Sequence, residues 1–111
     1  MRGTRLATIG AMAAAAIALA PLAQADYDTD FKKTINGYGV YGPQDYLAWL
    51  GKISCERLDR GVDHDAYQSA TFIQRNLPRG TSEGQSFQFL GAAVDHYCPA
   101  QVGVVQAAGA H

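Results

Sequence analysis

Four serines and two histidines are the residues that could supply nucleophilic catalysis in this chain. That chemistry needs a serine or cysteine within hydrogen-bond reach of a histidine that a third group orients. The residues concerned are Ser54, Ser69, Ser82, Ser86, His64 and His96. No serine stands in a strained Gly-x-Ser-x-Gly elbow. The sequence therefore predicts no catalytic residue and a protein that is not an enzyme.

A metal site would need clustered histidine, cysteine or carboxylate ligands at suitable spacing. Asp63-His64-Asp65 is the one cluster of that kind. Both aspartates are explained as acceptors for the free amides at the start of a helix, where acidic residues also favour the helix dipole. We therefore expect no metal and no cofactor.

The N-terminal residues indicate the cellular compartment to which the protein is sent. Arg2 and Arg5 form a basic start, residues 6–22 are Ala-rich and uncharged, and Ala23-Gln24-Ala25 fits a small-x-small cleavage site. Since the apolar run is weakly hydrophobic and contains Gly10 and Pro21, a cleaved signal peptide over 1–25 is favoured over a membrane anchor. The sequence thus predicts an exported protein, released or kept in the cell envelope, with no stable membrane span after cleavage.

The two cysteines, Cys55 and Cys98, are expected to form a disulfide in an oxidising compartment, with two free thiols as the alternative. Phe87, Leu90, Gly91 and Val94 precede Cys98 at helical spacing, and Pro99 ends that helix. Phe87, Leu90 and Val94 are expected to lie in the core. A packed helix would therefore bring Cys98 to a fixed place.

The rest of the chain also shows helical periodicity, without the sustained alternation of a sheet. We expect an all-α domain over 26–99: a short N-terminal helix at 26–38, capped by Asp28 or Asp30, and three main helices. The main helices are predicted over 43–59, with Gly61 as the C-terminal stop, from 63 to Leu77, and from Ser82 to Cys98. The last of these opens on a Ser82–Gln85 capping box. Residues 100–111 are expected to form a flexible tail.

Charge narrows the class of partner. Nine Lys and Arg stand against ten Asp and Glu in the whole chain, and cleavage after Ala25 would remove Arg2 and Arg5. The remaining acidic and basic residues are interspersed, without a run of Lys and Arg that could follow phosphates, so the sequence predicts no nucleic-acid partner.

The chain resembles domain-of-unknown-function family 732, small secreted proteins of mycobacteria and other actinobacteria. The resemblance covers Asp30 to Pro99 and rests on four stretches: Asp30-Phe31, the Cys55-x-x-Leu58-x-x-Gly61 segment, Ser82 to Gln85, and Ala93-x-x-x-Tyr97-Cys98-Pro99. It implies export, a helical fold and pairing of Cys55 with Cys98, but no activity. Tyr46 and Trp49 depart from the aliphatic residues common in the family.

Two functional hypotheses follow. The first is a secreted, non-enzymatic module that contacts an unknown protein partner of the envelope or extracellular space. Its candidate surface is aromatic, because Tyr and Trp are favoured at binding surfaces, and comprises Tyr38, Tyr41, Tyr46 and Trp49. The alternative is a carrier of a small hydrophobic ligand such as haem or lipid, with His96 and Tyr97 as candidate haem ligands. The short chain leaves little interior volume for such a ligand.

Overall fold

The computed structural model describes residues 24–109, which form five α-helices and a short 3-10 turn, with no strand in that range. The expected all-α class is confirmed. The helices are α1 (24–37), α2 (Gln44–Asp59), α3 (Ala66–Asn76), α4 (Glu83–Tyr97) and α5 (Val102–Gly109), and the turn is Pro99–Gln101. Residues 1–23, which hold most of the expected signal peptide, and residues 110 and 111 lie outside the described range.

Local side-chain chemistry sets several helix ends as the sequence predicts. The Ser82 hydroxyl accepts a hydrogen bond from the Gln85 amide at 3.0 Å, and the Gln85 side chain accepts one from the Ser82 amide at 2.8 Å. This pair is the expected capping box of α4. After α2, Gly61 has a φ of +72°, a left-handed conformation that glycine adopts without a steric penalty.

The core lies where α1, α2, α3 and α4 meet. Its largest fully buried side chains are Phe31, Ile35, Leu47, Leu50, Ile73, Phe89, Leu90 and Val94. The rings of Phe31 and Phe89 meet edge to face with centroids 5.4 Å apart, so α1 is joined to α4 through the centre of the domain.

The buried face of α4 is rotated from the predicted one. Phe87 was expected in the core, but it is only half-buried and packs edge to face on Tyr67, with ring centroids 5.3 Å apart. Phe89 is fully buried in its place, next to the buried Ser86. The buried face is centred on Ser86, Phe89 and Ala93, whose small and polar members obscure it in the sequence, and the predicted stripe through Phe87 was offset by about one position.

The N-terminal helix begins earlier in the chain than expected, and the expected caps are wrong. Residues 24–37 are all helical, so Asp28 and Asp30 lie inside α1 and not at its start. Asp28 instead bonds to side chains of α2 and α4.

The predicted disulfide is present: the sulfur atoms of Cys55 and Cys98 are 2.10 Å apart, and the Cα atoms 5.8 Å apart. It ties α2 to the residue that follows α4. The flexible tail expected over 100–111 is wrong for 102–109, which form α5 packed on α3 and α4. Val104, Val105 and Ala108 of α5 are partly buried against the core, and this burial is what orders the segment.

Candidate functional site

An exposed aromatic cluster lies at the start of α2. Tyr46 and Trp49 are three residues apart on one helix face, and their ring centroids are 5.6 Å apart. Tyr41, in the preceding loop, is 66% exposed, against 40% for Tyr46 and 48% for Trp49. Trp49 is therefore a surface residue and does not belong to the core.

Three of the four predicted aromatic residues are thus exposed, whereas Tyr38 is not. Tyr38 is partly buried against the core, and its carbonyl accepts a hydrogen bond from the Gln85 side chain at 3.1 Å. We use the term aromatic surface for Tyr41, Tyr46 and Trp49 only.

Two members of the aromatic surface lie near the end of α3 and the loop that follows it. The Tyr46 hydroxyl donates to the carbonyl of Asn76 at the end of α3. Tyr41 lines a cavity of about 280 Å³ together with Pro78, Arg79 and Gly80 of that loop. The Tyr46 ring is therefore anchored at its polar end and exposed on its apolar side, which is the arrangement that favours tyrosine at interfaces.

A groove of about 350 Å³ continues from Trp49 along α2. We call it the acidic groove; its lining comprises Asp28, Asp45, Ala48, Trp49, Lys52, Ile53 and Glu56. All but Asp28 belong to one face of α2, and Asp28 comes from α1. Three carboxylates and one ammonium group line it, so its local charge is negative.

A charged and aromatic network closes the α1 side of the acidic groove. Asp28 accepts hydrogen bonds from the Tyr97 hydroxyl at 2.7 Å and from the Lys52 ammonium at 3.1 Å. Lys52 also lies 5.5 Å from the centre of the Tyr97 ring. Partial burial, followed by the hydrogen bond to Asp28, raises the pKa of Tyr97 well above its usual value near 10.

His96 and Tyr97, the candidate haem ligands, are engaged in packing between α1 and α4. The centroid of the Phe31 ring is 5.4 Å from that of His96 and 5.0 Å from that of Tyr97. The Tyr27 hydroxyl donates to the His96 carbonyl. Neither residue lines the acidic groove, the cavity beside Tyr41 or either of two further cavities among residues 24–109. The geometry thus adds nothing in favour of the carrier hypothesis.

Asp63 has a role that the sequence analysis missed. It is 5% exposed, forms two hydrogen bonds to the Arg57 guanidinium at 2.8 and 3.0 Å, and accepts a third from the Ser69 hydroxyl at 3.0 Å. The hydrogen bonding to Asp63 raises the pKa of Arg57. Arg57 also lies over the Phe72 ring, 4.0 Å from its centre. Asp65 alone is the cap of α3, accepting from the Gln68 amide at 2.9 Å.

The three buried serine hydroxyls all donate to oxygen acceptors. Ser54 donates to the Leu50 carbonyl at 2.7 Å, Ser69 to Asp63, and Ser86 to the Ser82 carbonyl at 3.2 Å. Each of these bonds satisfies a polar group that burial has removed from water.

Within 24–109, no group of three or more His, Cys, Asp or Glu residues is placed to hold a metal ion. Likewise, no helix of this range has the length and apolar character needed to cross a membrane.

The fold and site describe a small helical domain with one disulfide and an exposed aromatic surface. Residues 26–100 match the family model described as "Protein of unknown function (DUF732)", and the chain belongs to this family. It is similar to uncharacterised proteins from two strains of Mycobacterium tuberculosis, each 68% identical over 110 residues that cover 98% of both chains. No solved structure matches the chain.

Proposed function

We propose that the chain is an exported, non-enzymatic interaction module, and that its aromatic surface contacts a protein partner in the cell envelope or extracellular space. The observation that carries this proposal is the exposure of Trp49 and Tyr46 as a neighbouring pair on a rigid helix. Tryptophan and tyrosine contribute large contact areas at little cost in conformational entropy, and they dominate binding energy at protein interfaces.

Export is supported by the N-terminal sequence and fits the disulfide, since disulfides persist in oxidising compartments. Cleavage between Ala25 and Asp26 would leave Tyr27 and Asp28 at the start of the exported chain, where they bond to the end of α4 and to α2. N-terminal sequencing of protein recovered from the culture medium and from the cell wall tests both the cleavage site and the final location.

The interaction itself can be tested by site-specific crosslinking in the native cell. A photoreactive phenylalanine analogue at Tyr41 is expected to capture the partner, because Tyr41 is the most exposed member of the aromatic surface. The matched control places the analogue at Tyr67, which is 49% exposed on α3 and outside the aromatic surface. Trp49→Ala should remove the crosslink from position 41. Equal capture from both positions, or capture that survives Trp49→Ala, would contradict the proposal.

A further inference from the structure

Among the residues that line the acidic groove, one ion pair forms, on the side of the groove that faces α1. The Lys52 ammonium and Asp28 carboxylate pair with each other at 3.1 Å, with 41% and 15% of their side chains exposed. Two further carboxylates, Asp45 and Glu56, line the groove on the face of α2 that carries Trp49. An occupant therefore meets an indole ring together with two acidic groups.

Glu56 forms an ion pair within the chain that a cation of a binding partner can replace. Its carboxylate lies 2.6 Å from the Arg60 guanidinium, four residues later, and the two side chains are 44% and 72% exposed. Exposed pairs at this spacing are weak, because water and salt screen them and two flexible side chains must be ordered. An incoming cation can therefore replace Arg60 at little cost.

We propose that the acidic groove binds an extended basic segment of a partner protein, with two Lys or Arg side chains that reach Asp45 and Glu56 and an apolar residue over Trp49. The proposal rests on the proposed interaction function and names the chemistry of the partner. A cation near an indole ring is stabilised by the ring quadrupole, and the nearby carboxylates add to this attraction.

The helix geometry sets the spacing of the two basic residues. Asp45 and Glu56 are eleven residues apart on α2, a distance of about 16 Å along the helix axis at 1.5 Å per residue. An extended peptide rises about 3.3 Å per residue and turns alternate side chains to opposite sides, so basic residues four apart share one side, and the reach of their long side chains lets them match both carboxylates. Trp49 lies between the two, where an apolar side chain of the segment would meet it.

The negative charge of the groove favours a basic protein segment over other classes of ligand. The groove repels phosphate groups, which disfavours nucleic acids and anionic lipid surfaces. A neutral oligosaccharide could stack on Trp49, but it would gain nothing from Asp45 and Glu56 and its binding would be insensitive to salt. The two occupants are therefore separable by experiment.

The test uses fluorescence of Trp49, the one tryptophan of the chain. The probe is the capped peptide Arg-Gly-Leu-Gly-Arg, whose arginines and leucine share one side when it is extended. The control peptide has citrulline, the neutral isostere, in place of both arginines. The arginine peptide should change the emission at low ionic strength and bind at least about tenfold more weakly at ~0.5 M salt, where exposed charges are screened. The citrulline peptide should leave the emission unchanged.

Matched variants locate the binding. Asp45→Asn with Glu56→Gln should weaken binding of the arginine peptide about tenfold, since each exposed charge pair contributes up to about fivefold in Kd. Asp30→Asn with Asp95→Asn removes the same charge from exposed positions outside the groove and should change Kd by less than about twofold. Urea midpoints near that of the unmodified protein show that each variant is folded.

Three results would each overturn the basic-segment proposal. They are equal affinity of the two double variants for the arginine peptide, equal binding of the citrulline and arginine peptides, and salt-insensitive binding of a neutral oligosaccharide at Trp49. Its failure is distinguishable from failure of the proposed function. If crosslinking from position 41 requires Trp49 but is unaffected by Asp45→Asn with Glu56→Gln, the aromatic surface binds a partner whose chemistry is different.

Discussion

Asp63 and Asp65 show how two neighbouring residues of one type acquire different roles. Both were interpreted as helix caps, but only Asp65 caps α3, whereas Asp63 is buried against Arg57 and Ser69. The cap could be predicted because its partner, the Gln68 amide, is three residues away. The ion pair could not, because it depends on how the loop after α2 turns back on that helix.

We expect Asp63→Asn to lower the free energy of unfolding by about 2–3 kcal/mol, because Arg57 then loses its charged partner in a largely buried site. Asp65→Asn is the control and should change it by less than about 0.5 kcal/mol, since asparagine caps helices as well as aspartate does. Urea unfolding at neutral pH measures both. Similar losses of unfolding free energy in the two variants would show that the ion pair between Asp63 and Arg57 does not stabilise the domain more than a helix cap does.

Tyr97 is predicted to make stability depend on pH in the alkaline range. Its pKa is raised in the folded protein, by burial first and then by the hydrogen bond to Asp28, so the folded state holds the proton more tightly than the unfolded chain does. The resulting stability is complete below the unfolded pKa near 10 and is lost as the pH rises through the higher folded value.

Tyr97→Phe should therefore cost about 1 kcal/mol at pH 7, through loss of the hydrogen bond to Asp28, and the difference from the unmodified protein should shrink above about pH 10. Urea unfolding of both proteins between about pH 8 and 11 gives the two curves. A constant difference across that range would mean that Tyr97 does not carry the alkaline dependence.

At the scale of helices, the close approach of α1 to α2 depends on Gly51. A Cβ atom at this position would lie 2.9 Å from Phe31 Cζ and 3.0 Å from Tyr97 Cε2. Both rings belong to the packing between α1 and α4, so neither can move without disturbing its neighbours. Gly51 thus sets the distance at which the N-terminal helix packs.

Gly51→Ala is expected to destabilise the domain by about 1–3 kcal/mol through overpacking, although alanine favours helix formation. Gly91→Ala on α4 is the matched control: its Cβ would have no neighbour within 4 Å, so the variant should gain up to about 1 kcal/mol. Thermal unfolding followed by circular dichroism compares them. A gain in both variants would show that α1 can shift without cost.

The sequence predicted those helices whose signals are local, and it missed what depends on packing. Ser82 with Gln85 marked the start of α4, and Gly61 marked the end of α2. α5 was missed because the short run from Val102 contains a glycine and has no cap signal; its partly buried residues are ordered by contact with α3 and α4. The aromatic surface was predicted from composition, but the exclusion of Tyr38 and the position of the acidic groove follow from the tertiary structure.

At the scale of the whole molecule, the disulfide links elements that are far apart in sequence. Cys55 and Cys98 are separated by 43 residues, and the enclosed segment contains all of α3 and all of α4. Both cysteines are buried, at 5% and 8% exposure. Since α5 begins shortly after Cys98, the crosslink also fixes the point from which this last helix packs back on α3 and α4.

Loss of the crosslink should destabilise the whole domain. The chain-entropy model assigns a ring of this size about 4 kcal/mol, which corresponds to a fall in Tm of about 20 °C for a domain of this length. Cys55→Ser and Cys98→Ser should each produce this fall, and the double variant should add little, because either substitution already removes the bond. Thermal unfolding of the unmodified protein with a reductant should approach the same Tm. If the single variants retained the Tm of the oxidised protein, the disulfide would add nothing to the stability of the domain. Helix packing alone would then hold α2 against the end of α4.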